Sequence, residues 1–110
     1  MAETVDQSVI EVVRKFIEEL GRNRFRISEA RLFGSYANGR ARPESDIDLA
    51  VISEDFTGDR FGDRRKIVPL RRKIDNRIEP VPFRPDDFNN GGMLAEEIKR
   101  TGIVVFRSDQ

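Results

Sequence analysis

The chain has 110 residues, 37% of them hydrophobic and 36% charged, a balance that suits one domain with a single core and a well-solvated surface. Twenty Lys and Arg offset twenty Asp and Glu, so the basic excess of a non-specific nucleic-acid binder is missing and nucleic acid is disfavoured as a partner. Cysteine and histidine are both absent, which excludes disulfides, thiolate zinc sites, cysteine nucleophiles and imidazole bases or ligands. Chemistry must come from carboxylates, hydroxyls, Lys, Arg, backbone amides and bound hard cations.

The opening residues lack the basic start and apolar stretch of a signal peptide. No apolar run approaches the ~20 residues that span a bilayer, so a cytoplasmic protein without membrane contact is expected. Residues 5–20 form the clearest predicted helix, with Val9, Ile10, Val12, Val13, Phe16, Ile17 and Leu20 on one face. Thr4 with Gln7, or Ser8 with Glu11, offers a capping-box start, and Gly21 a stop. Ala30, Leu32 and Phe33 predict a strand running into Gly34-Ser35, then a short helix through Tyr36 and a polar loop over residues 40–44. Residues 46–52 (DIDLAVI) alternate and then become continuously apolar, as in a strand buried on both faces. Residues 53–62 read as a loop, and residues 64–74 as a helix that Pro69 kinks or divides. Residues 77–83 (RIEPVPF) carry two prolines and so predict an edge or irregular strand. A loop over residues 86–92, a helix over 93–100 and a terminal strand over 103–106 complete an α/β (α+β) pattern.

Two half-signals carry the chemistry. Gly34-Ser35 after a strand opens a short helix, whose free N–H groups and positive dipole end suit a phosphate; the bland alternative is a turn and cap. Asp46 and Asp48 stand two residues apart on a strand, hence on one side and about 6.6 Å apart along it. Like charges on one face repel unless a cation lies between them, and an oxygen-only set suits Mg²⁺ or Mn²⁺. Alternatively, Ser45-Asp46 caps a turn and Asp48 faces solvent.

Together, Gly34-Ser35, Gly39 and Ser45-Asp46-Ile47-Asp48-Leu49 resemble the G-S-x(3)-G-x(5)-S-D-x-D-L pattern of the nucleotidyltransferase superfamily, most closely its minimal nucleotidyltransferase branch. The motif covers residues 34–49, and the order of elements around it extends the likeness over most of the chain. The resemblance implies a nucleotidyltransferase fold, a small mixed sheet with helices packed on it, as a single domain over residues 1–110. It implies that Gly34 and Ser35 hold the triphosphate of ATP, and that Asp46 and Asp48 hold two Mg²⁺ or Mn²⁺ ions. A third carboxylate comes from the neighbouring strand in such enzymes, where it shares a metal and takes the acceptor's proton. Glu79 is the candidate, with Asp75 as the fallback; the family more often has Asp here.

The same resemblance implies transfer of AMP onto a protein hydroxyl, as the antitoxin partner of a HEPN-domain toxin. The acceptor is then held by another polypeptide or a second copy of this chain. A non-catalytic nucleotide-binding or partner-neutralising module and a small-molecule nucleotidyltransferase are the alternatives. Eight basic residues between Arg60 and Arg77 read either as a solvated helix face or as a patch steering triphosphate, RNA or an acidic partner, and Arg40 and Arg42 are in reach of phosphates. Tyr36 is expected to pack.

Overall fold

The computed structural model describes residues 5–108. Helix α1 (Gln7–Arg22) forms because its apolar residues recur at helical spacing, and Val9, Val13, Phe16, Ile17 and Leu20 are all buried. Its cap is Asp6, whose carboxylate accepts the Ser8 N–H at 2.9 Å, in place of the expected Ser8–Glu11 box. Thr4, the other predicted cap, lies outside the described residues. The helix runs through Gly21 and stops at Asn23, which donates from its side chain to the Glu19 carbonyl at 2.8 Å.

Strands β1 (Glu29–Phe33), β2 (Ile47–Ile52), β3 (Ile78–Phe83) and β4 (Ile103–Arg107) make one mixed sheet in the order β3-β2-β1-β4. β1 is antiparallel to β2 and β4, whereas β2 and β3 run parallel through the intervening helical crossover. Alternation sorts the strands onto two cores. Ile47, Leu49 and Val51 of β2 face α1 together with Leu32, Ile78 and Ile67. Ala50 and Ile52 face the other way, into a smaller cluster with Phe83, Phe88, Ala95 and Ile98. Asp48 shares that second face and is the one residue of β2 that is not buried.

Helix α2 (Ser35–Asn38) follows β1 directly. Helix α3 (Arg60–Ile67) starts earlier than its pattern predicts, because buried Asp63 accepts the Thr57 and Gly58 N–H groups and folds the loop back onto the first turn. Pro69 does divide the helical stretch: α3 ends at Ile67 and continues as a 3₁₀ helix, Val68–Lys73. Proline lacks the N–H that an α-helix would direct at the Arg65 carbonyl. The predicted loop over residues 86–92 is in part helix α4 (Pro85–Asn90), started by Pro85 in its first turn and anchored by buried Phe88. Helix α5 (Met93–Thr101) then buries Ala95 and Ile98.

The β3 prolines obey the edge rule. The Phe83 carbonyl pairs toward β2 by accepting the Ser53 N–H, while the Ile78 and Pro80 carbonyls face outward and accept from arginines. Pro80 and Pro82 therefore occupy positions whose missing N–H groups would have pointed away from the sheet.

Candidate active site

Asp48 begins the second face of β2, and the parallel register sets it directly beside Glu79 on β3. Asp46 lies two residues earlier, exposed, just before the strand. The Asp48 carboxyl is held above the usual carboxylate range, first by burial and then by the negative charges of Asp46 and Glu79. Among the described residues, every other buried or half-buried Asp or Glu accepts a hydrogen bond or ion pair; Asp48 alone of that group has none. A partly desolvated carboxylate with two like charges near it and no donor costs stability, and a cation relieves that cost.

Gly34 forms the opposite wall. Its φ of 72° and ψ of −147° belong to a region that side chains avoid, and a Cβ there would stand 2.2 Å from Asp48 Oδ2. The β1–α2 turn is thus folded directly onto the carboxylate. Ser35 opens α2, so its N–H lies in the first turn, where amides have no intrahelical partner, and among the described residues its hydroxyl makes no hydrogen bond. Gly39 closes α2 in the left-handed conformation at φ 80°. Gly34, Ser35, Asp46, Asp48 and Glu79 are therefore gathered at one end of the sheet, at the start of β2 and β3.

Glu79 is not free. Arg64 Nη2 donates to its Oε1 at 2.7 Å, and Arg71 Nη1 to its Oε2 at 3.1 Å. Among the described residues, no three acidic side chains stand close enough together to grip an ion as they are. Asp46 and Asp48 nonetheless suit a hard cation: both are oxygen donors free of competing partners, and Asp48 is seated against a glycine that leaves room for it. Asp75, the fallback, is likewise engaged by an arginine. Arg77 chelates it at 2.8 Å, and those hydrogen bonds hold its carboxyl below the usual range.

The basic cluster is mostly spent on structure rather than left as a patch. Arg60 stacks over Phe83 at 4.6 Å, Arg65 lies over Phe61, and Lys73 reaches buried Glu19 at 3.6 Å. Arg77 also donates to the Tyr36 hydroxyl and to the Pro43 carbonyl, pinning the motif loop. Tyr36 donates in turn to the Arg42 carbonyl at 3.1 Å and packs on the main core, as expected of it. Arg42 lines a cleft of about 410 Å³ behind α2 with Ser35 and Gly39, while Arg40 is exposed. Sequence reasoning missed the Arg64–Glu79–Arg71 clamp, because the two arginines sit on different helical segments and meet Glu79 only through the tertiary fold.

Among the described residues, no helix is long and apolar enough to cross a membrane. A search of curated proteins gives no match to the chain. The chain is similar in structure to a Sulfolobus solfataricus protein assigned as a nucleotidyltransferase, with 16% identity and a TM-score of 0.65 over 92% of this chain and 82% of that one. It is also similar to a chain of a toxin–antitoxin structure with AMP-PNP, at 24% identity and a TM-score of 0.59 over 88% of this chain and 74% of that one. An MntA–HepT toxin–antitoxin structure matches at 20% identity and a TM-score of 0.52, covering 90% of this chain and 73% of that one. These likenesses establish the nucleotidyltransferase fold. The family described as polymerase beta, nucleotidyltransferase matches residues 15–110, nearly the whole chain, and to that family the chain belongs.

Proposed function

We propose that the chain is a single-domain, metal-dependent nucleotidyltransferase that moves AMP from ATP onto a hydroxyl of a partner protein, acting in the cytoplasm as the antitoxin of a HEPN-domain toxin. The observation that carries the transferase reading is Asp48, the one partly buried carboxylate among the described residues with no donor of its own. It stands beside Asp46 and Glu79 and under Gly34. The partner reading is supported by similarity to chains of toxin–antitoxin structures, one of them with AMP-PNP.

In this reading the turn at Gly34-Ser35 receives the β- and γ-phosphates through first-turn amides and the Ser35 hydroxyl. Asp46 and Asp48 would hold two Mg²⁺ ions, with Glu79 as the third carboxylate. When bound, the ions neutralise charge on the attacking and leaving oxygens. The acceptor oxygen bonds to the α-phosphorus, the bond to the β-phosphate bridge breaks, and pyrophosphate leaves. The acceptor proton passes to the carboxylate set at Glu79. Rigid placement of Asp48 on a central strand keeps the geometry fixed while charge moves.

A second reading, a nucleotide-binding module that neutralises its partner by contact, is favoured by the two arginines that already engage Glu79. Incubation with Mg²⁺, α-labelled ATP and the product of the adjacent reading frame separates the two. The enzyme reading expects label on the partner polypeptide, lost in Asp46→Asn and Asp48→Asn. Nucleotide binding without any labelled polypeptide overturns it in favour of the binding module.

A further inference from the structure

Arg64 and Arg71 approach β3 from α3 and the 3₁₀ helix and treat it alike. Arg64 donates Nε to the Pro80 carbonyl at 3.1 Å and Nη2 to Glu79 at 2.7 Å. Arg71 donates Nη1 both to the Ile78 carbonyl at 2.7 Å and to Glu79 at 3.1 Å. Each guanidinium is therefore anchored on an outward carbonyl of the edge strand and fixed beside the carboxylate that neighbours Asp48. Guanidinium does not deprotonate in proteins, so both positive charges are permanent.

Three carboxylates against two guanidiniums leave the site with one net negative charge. A divalent cation entering alone meets two fixed positive charges beside its third ligand. A triphosphate brings negative charge of its own and reverses that balance. We propose that Arg64 and Arg71 are built-in counter-ions that keep a bare divalent cation off Asp46, Asp48 and Glu79, so that metal is held only when a triphosphate arrives with it. The inference rests on the proposed function for its metal site and goes beyond it by assigning two positioning residues and an order of loading.

The competing role, bracing the β3 edge, makes the opposite prediction for metal affinity: loss of a brace weakens binding. Mn²⁺ titration without nucleotide, followed by electron paramagnetic resonance, distinguishes the two. Arg64→Gln and Arg71→Gln keep a donor for Glu79 but remove the charge, and each is expected to tighten Mn²⁺ binding about tenfold, equivalent to ~1.4 kcal/mol. Arg64→Lys keeps the charge and is expected to retain the weak wild-type affinity. Unchanged or weaker Mn²⁺ binding in a folded Gln variant overturns the proposal. So does wild-type binding of Mn²⁺ alone that is already tighter than about 1 μM, whether or not any variant folds. Failure of the wild type to bind Mn²⁺ together with a non-hydrolysable ATP analogue sinks the transferase reading instead, and the Gln variants still decide the counter-ion role.

Discussion

Gly34→Ala isolates the contact between the motif turn and the motif strand. The glycine sits at φ 72° and ψ −147°, a combination open essentially to glycine alone, and holding alanine there costs about 1–3 kcal/mol. The new methyl would also lie 2.2 Å from Asp48 Oδ2 and 3.2 Å from its Cγ, so the carboxylate must swing away. Strain and displacement together amount to roughly 2–4 kcal/mol, or a fall in Tm of roughly 10–25 °C for a domain of this size. Urea unfolding of wild type, Gly34→Ala, Asp48→Ala and the double variant separates the two contributions. In the Asp48→Ala background the clash is gone and only the backbone strain remains, so Gly34→Ala should cost about 1 kcal/mol less there. A Gly34→Ala penalty below about 0.5 kcal/mol, or strict additivity in the cycle, would refute the argument that this turn is packed onto the carboxylate.

Asp48→Asn removes a partly desolvated charge that has no donor, so the metal-free variant should unfold at the same urea concentration as wild type or a higher one. The same variant should lose the stabilisation that Mg²⁺–ATP gives wild type, about 2.7 kcal/mol at a hundredfold excess over Kd, which thermal melts with and without ligand would detect. Asp75 supplies a pH dependence of opposite sign to that of Asp48. Its folded pKa is depressed by Arg77, so its contribution is complete above its unfolded value near 3.8 and is lost as pH falls through the folded value. Asp75→Asn should therefore flatten the acid limb of stability below about pH 4 in urea midpoints measured against pH. Asp48, raised instead, becomes less costly as pH falls from its folded value toward 3.8, so Asp48→Asn should remove a gain in stability that lies above pH 3.8, outside the Asp75 window.

Much of the candidate site's local geometry was legible before any fold was known. The Gly34-Ser35 turn, the Asp46–Asp48 spacing and the doubly buried run of β2 are short-range patterns, and stereochemistry acts directly on them. The β3 prolines likewise announced an edge strand. What escaped were features whose causes lie elsewhere in the chain. Asp86 to Asn90 looked like a loop by composition, yet Pro85 and burial of Phe88 against Phe83 make it a helix. The basic cluster read either as a solvated helix face or as a patch, yet Arg64, Arg71 and Arg77 are each committed to a carboxylate.

The division follows from what each level of structure can specify. The sequence by itself determined which residues alternate along a strand, because that depends only on neighbours along the chain. Tertiary structure alone decided that β3 lies beside β2 in a register that sets Glu79 against Asp48, and that two arginines reach Glu79 first. Such pairings between distant segments are chosen by the packing of whole elements, which no local pattern records.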